Sequence, residues 1–178
     1  MNKLVIAWDL DGTLICSQHR QKNKEDGSFD LDYWIETAEE LTKEDTLLPL
    51  VQVYQAYKDA GFYQVAVTAR EMHPWDYDFL KSHGLEFDEI LHRDGSTDLD
   101  HILKDLLLDG VFAKSDKIPF QAYDDKQDNL DTFDKWGFRT FHATYLNAAM
   151  AADNRDSIPF KPADAVKMEG GADWAKTD

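Results

Sequence analysis

Two aspartates one residue apart, Asp9 and Asp11, stand between the apolar run 4–8 and Gly12 in the stretch WDLDGTL. If the run is a buried strand, the glycine opens the turn after it. Both carboxylates then sit at the strand's carboxyl end, where open α/β sheets keep their ligands. Further along, Thr68 closes a second apolar run with Arg70 close behind, and Asp124 and Asp125 close another. Lys104 lies 20 residues before that acidic pair, on the helix leading into its strand. In a parallel sheet these positions share one edge. Three or four carboxylates gathered there cannot all stay ionised in a water-poor cleft without a cation, because like charges raise one another's pKa. Mg²⁺ suits such a site, since it takes hard oxygen ligands and retains water. A divalent cation and a lysine ammonium together supply the field that lets a carboxylate attack an anionic phosphate.

The elements that must position these residues follow from periodicity. Beta-type apolar runs recur at 4–8, 64–68, 87–91, 118–123 and 139–143, separated by stretches with helical spacing. One stretch carries Leu47, Leu50, Val51, Tyr54 and Tyr57 and ends before Gly61; another carries Leu99, Ile102, Leu103 and Leu106 and is expected to end before Gly110. Shorter ones precede Gly84 and Gly137, so each has glycine where a left-handed cap is favoured. The alternation predicts an α/β fold: a three-layer, doubly wound sandwich with a mostly parallel central sheet and a small cap insertion. The core is expected over residues 1–146, with the insertion at about 15–46 carrying Phe29, Tyr33 and Trp34. Residues 147–178, rich in Ala, Asp, Gly and Pro, read as a loosely packed tail.

At 178 residues the chain has room for one well-buried core. Nineteen Lys and Arg against 35 Asp and Glu give a formal charge of −16, so the average surface repels phosphate backbones and no extended nucleic-acid surface is expected. A single cysteine, Cys16, excludes an internal disulfide framework and fits a reducing cytoplasm. No apolar stretch approaches membrane-spanning length. Trp8 and the Tyr33–Trp34 pair read as packing residues ahead of base-stacking platforms, and for the cap aromatics both roles stay open.

The order Asp-x-Asp-Gly-Thr, then Thr68, then Lys104, then Asp124-Asp125, resembles the haloacid dehalogenase-like phosphohydrolase superfamily over residues 4 to about 143. The resemblance implies that Asp9 is the nucleophile, forming an aspartyl-phosphate, and that Asp11 protonates the leaving oxygen and later activates water. It implies a Mg²⁺ site at Asp9, Asp124 and Asp125 with a contribution from the Asp11 carbonyl. Thr68 and Lys104 would contact the phosphoryl group, and Gly12 and Thr13 would lie against it. Lys104 is preferred to Lys114, in an expected loop, and to Lys117, at the opposite edge of the sheet.

Arg70, two residues after Thr68, and Asp100, four before Lys104, resemble the 3′-phosphatase domain of phage-type polynucleotide kinases. That subfamily implies a phosphate grip by Arg70, with Arg93 a second candidate. No glycine-rich kinase loop occurs in these residues, so a stand-alone phosphatase without the kinase half is expected. Lys22 and Lys24, in the basic cluster HRQKNK, can hold one or two further phosphates. The expected substrate is a nucleotide or the 3′-phosphate end of a nucleic acid. A small sugar phosphate or a 5′-nucleotide is the alternative, and a non-catalytic phosphoacceptor or binding module belongs to another class. Phosphoacceptor modules use similar parts in another order, and a silent binding protein would have lost Asp9 or Asp11.

Overall fold

The computed structural model describes residues 3–113 and 116–153. In chain order the elements are β1 (Lys3–Trp8), the short strand β2 (Ile15–Cys16), α1 (Leu31–Leu41), the short strand β3 (Thr46–Leu47), α2 (Val51–Asp59), β4 (Tyr63–Glu71) and α3 (Pro74–Ser82). There follow β5 (Glu89–Arg93), α4 (Asp100–Phe112), β6 (Lys117–Asp124), α5 (Gln127–Lys135), β7 (Arg139–His142) and α6 (Ala143–Asp153). Five strands form an entirely parallel sheet in the order β5-β4-β1-β6-β7. The fold is the three-layer α/β sandwich that the alternation predicts.

Because β1 is central and covered on both faces, it reads as a continuous apolar run, and Val5, Ile6, Ala7 and Trp8 are all fully buried. Its side chains alternate between two cores. Ile6 and Trp8 pack with Leu50 just before α2, Tyr54 of α2, Phe79 and Leu80 of α3, and Ala143 of α6. Val5 and Ala7 pack with Leu108 of α4 and Phe133 of α5. Trp8 stacks on Tyr123 at 4.3 Å and its indole N–H donates to Gln64 at 2.6 Å, so it is a packing residue, as expected.

The crossover after β1 runs towards β4 and the one after β6 runs the opposite way, towards β7. The crevice between the carboxyl ends of β1 and β6 is therefore the topological switch point, where such sheets bind ligands. Between β1 and α2 the chain makes its long excursion. Its two ends are pinned by the β2–β3 ribbon, with Ile15 opposite Leu47 and Cys16 opposite Thr46. Asp30 caps α1, accepting from the Tyr33 backbone N–H at 3.1 Å.

Three expectations change. Gly61, Gly84 and Gly137 follow helix ends at positive φ, but α4 runs through Gly110 to Phe112, whose ring packs edge-on against Phe138 at 5.4 Å. This tertiary contact holds a last turn that glycine alone would disfavour. The strand expected at 87–91 lies at β5, two residues later, because Phe87 packs on Tyr54 in the approach to it. The chain at 147 is not loose. Asn147 is fully buried within α6, accepting from the Leu50 backbone N–H at 2.8 Å and donating to the Thr13 carbonyl at 2.9 Å. The expected tail after 153 lies outside the described residues. Among those described, no helix is long and apolar enough to cross a membrane.

Candidate active site

The turn after β1 is built around one carbonyl. The Leu10 oxygen accepts from the backbone N–H groups of Thr13, Leu14 and Ile15 at 3.2, 2.9 and 2.9 Å. Gly12 sits in this turn at φ +79°, a conformation that side chains resist. A Cβ at position 12 would also come within 2.5 Å of an Asp125 carboxylate oxygen. The turn thus favours glycine, and a side chain there would also have to displace the Asp125 carboxylate.

At the switch point, carboxylate oxygens of Asp9, Asp124 and Asp125 lie within 4.8 Å of one another. Lys104, fully buried on α4, donates through Nζ to Asp9 Oδ1 at 2.6 Å and to Asp124 Oδ2 at 2.5 Å. The other Asp124 oxygen accepts from the Lys126 backbone N–H and the Asn129 side chain, both at 2.9 Å. Burial pushes Asp9 well up from the ordinary carboxylate range, against the pull of Lys104 and with further repulsion from Asp124 and Asp125. Burial and Asp124 push Asp125 up to about 6. Three acids against one ammonium leave a negative excess that a divalent cation would neutralise. Their oxygen donors are the hard ligands Mg²⁺ takes, so the residues fit the ion.

Beside this centre is a second charged cluster. Arg70, nearly fully buried at the end of β4, donates from Nε to Asp11 Oδ2 at 3.0 Å and from Nη2 to Asp11 Oδ1 at 2.5 Å. It donates further to Asp45 at 3.2 Å and to Asp76 at 2.7 Å. Arg20, 1% exposed, donates twice to Asp45, at 3.1 and 3.0 Å, and its guanidinium lies 3.9 Å over the Trp34 ring. Ser17 donates to Asp11 Oδ1 at 2.7 Å. Burial alone would raise the Asp11 carboxyl, yet the Arg70 charge and these hydrogen bonds outweigh it and hold the group below its ordinary value.

The expected site residues therefore separate. Asp9, Lys104, Asp124 and Asp125 converge, with Thr13 Oγ1 donating to Asp9 Oδ2 at 3.4 Å. Thr68, also buried, accepts from the Arg70 backbone N–H at 3.1 Å. Lys104 is paired with these acids and not with Asp100, which instead holds Arg93 and Lys126. The Asp11 side chain lies outside the acidic triad, in the grip of Arg70 and Ser17. Arg70, expected on a substrate phosphate, makes four hydrogen bonds to carboxylates. Arg93 is likewise committed, to the carbonyls of Ala69, Ser96 and Asp98 and to Asp100. Lys22 lies over the Tyr33 ring, and Lys24 pairs with Asp32 at the surface. Lys117 bonds Glu89 where β6 begins, and Lys114 lies outside the described residues.

Sequence reasoning missed Arg20, Asp45 and Asp76, which tie the excursion to the core. Arg20 lay within the basic cluster already singled out, but no local signal marks Asp45 as its partner. Asp45→Ala leaves two buried guanidiniums short of a carboxylate and should cost about 3–5 kcal/mol in urea unfolding. A loss below about 1 kcal/mol would mean that water or another acid replaces Asp45.

The Bacteriophage T5 5'-deoxynucleotidase family matches residues 1–160. The 5'-deoxynucleotidase of Escherichia phage T5 is 41% identical over 86 residues, 46% of this chain and 35% of the relative. The match thus spans about a third of that protein's length. Among solved structures, a chain of the Pnkp1/Rnl/Hen1 RNA repair complex superposes with a TM-score of 0.63 at 23% identity, over 79% of this chain and 42% of that one. A haloacid dehalogenase-like family hydrolase from Streptococcus pneumoniae superposes with a TM-score of 0.57 at 13% identity, over 79% of this chain and 84% of the other. At these identities what is shared with the solved structures is the fold.

Proposed function

The chain belongs to the Bacteriophage T5 5'-deoxynucleotidase family, and from that premise we propose that it is a Mg²⁺-dependent phosphatase of deoxynucleoside 5′-monophosphates, acting through an aspartyl-phosphate on Asp9. The observation that carries the reading is the meeting of Asp9, Asp124 and Asp125 around the Lys104 ammonium at the switch point. Of the substrates left open by the sequence, the family favours the 5′-nucleotide over the 3′-phosphate end.

In this reading Asp9, Asp124 and Asp125 hold the ion, which when bound supplies the positive field that offsets repulsion between nucleophile and phosphate. A carboxylate oxygen of Asp9 forms a bond to phosphorus as the bond from phosphorus to the ester oxygen breaks. Lys104 and the Thr68 hydroxyl donate to the phosphoryl oxygens and keep them in line. Asp11 gives a proton to the departing O5′, then takes one from the water that attacks the aspartyl-phosphate, which restores Asp9 and frees phosphate. The Arg70 clamp favours ionised Asp11, the form the water step needs. The proton-donating half requires Arg70 to loosen its hold.

Steady phosphate release from a panel of 5′- and 3′-deoxynucleotides, 3′-phosphorylated oligonucleotides and sugar phosphates tests the proposal. The 5′-deoxynucleotides should lead in kcat/KM by at least about tenfold. A lead for the 3′-phosphorylated oligonucleotide would transfer the reading to end repair, and a halt after one phosphoryl group would make the chain a phosphoacceptor.

A further inference from the structure

A cavity of about 180 Å³ opens between α1 and the segments that end β4 and follow β5. Leu31, Trp34, Ile35 and Ala38 line it from α1, at a spacing that puts them on one face of the helix. Leu31 and Ile35 are 53% and 55% exposed, an apolar pair left uncovered beside a charged cluster. Opposite them are Arg70 and Arg93, which carry positive charge but few unspent N–H groups, because each makes four hydrogen bonds to carboxylates or carbonyls. Asp76 and Glu71 add negative charge to the same wall. The cavity is therefore poorly suited to a phosphate. It suits a flat, neutral group with apolar faces and polar edges.

Its place and size narrow the occupant. Ala69 and Arg70 line the cavity and directly follow Thr68, and Arg70 bonds Asp11, so the cavity lies beside the Arg70–Asp11 pair, one residue along the chain from Thr68. Pockets that enclose whole drug-sized ligands run to about 300 Å³ and more, so this volume takes part of a nucleotide rather than all of it. Arg20, over the Trp34 ring, lines the same cavity, and its Nη1 makes no hydrogen bond among the described residues, leaving donors for a polar edge.

We propose that this cavity is the nucleobase subsite, with Leu31 and Ile35 as its apolar contacts. The proposal rests on the nucleotidase reading for what occupies the acidic centre, but its test does not need turnover. Deoxynucleosides without phosphate should bind the whole protein saturably, read by tryptophan fluorescence. Leu31→Ser with Ile35→Ser should weaken that binding by at least about tenfold. Hydrolysis of p-nitrophenyl phosphate, which has no base, should stay within about twofold of the parent. Ile35→Trp, which fills the cavity without making it polar, should weaken nucleoside binding as well. Absence of nucleoside binding, or equal binding by parent and both variants, overturns the subsite. A panel led by sugar phosphates while nucleosides still bind would overturn the nucleotidase reading and leave the subsite standing.

Discussion

Asp9→Asn should lower kcat by at least about 10³-fold while the protein stays folded, because an amide cannot form the acyl phosphate that the reaction requires. The packing explains why the fold should survive. Asp9 is buried, and its charge is opposed by burial and by Asp124 and Asp125. Asparagine keeps the shape and removes the repulsion, and Lys104 keeps its bond to Asp124. Metal-free stability should therefore hold within about 1 kcal/mol or rise, since losing one of three crowded acids offsets the lost ion pair. Phosphate release and thermal unfolding measured on the same preparation check both halves. Turnover within about tenfold of the parent would remove Asp9 as nucleophile.

Chelation should be equally severe. EDTA is expected to stop turnover, and Mg²⁺ to restore it, since Lys104 alone leaves the acidic centre negative. Binding to the folded state alone adds about 2.7 kcal/mol of stability at 100 times Kd. In a domain of this size that corresponds to a rise in Tm of roughly 5–10 °C. Asp9→Asn should shrink the rise, because one of the three oxygen ligands loses its charge. Undiminished phosphate release after EDTA treatment, or a Tm indifferent to millimolar Mg²⁺, would remove the ion from the mechanism.

What could be read before folding was what local pattern determines. Apolar runs and the glycines at 61, 84 and 137 place the strand ends, and through them Asp9, Thr68 and Asp124 on one edge. The edge argument also separated Lys104 from Lys117. The partners of Arg70 could not be read, because Asp11 and Asp45 are 59 and 25 residues away and meet it only once the excursion folds back on β4. Gly110 misled for a similar reason, since the contact that carries α4 past it comes from Phe138. α6 was different. Its run ATYLNAAMAAD is rich in the best helix former, but its composition blended with the chain beyond it.

Asn147 gives the far end of the described chain a stake in chemistry at its beginning. By holding the Thr13 carbonyl and the Leu50 amide together, it fastens the loop that aims Asp9 to the first turn of α2. A minimal catalytic unit cut at residue 146 would keep every acid and the lysine yet lose this brace. Engineering a shorter enzyme therefore has to treat α6 as part of the working machinery.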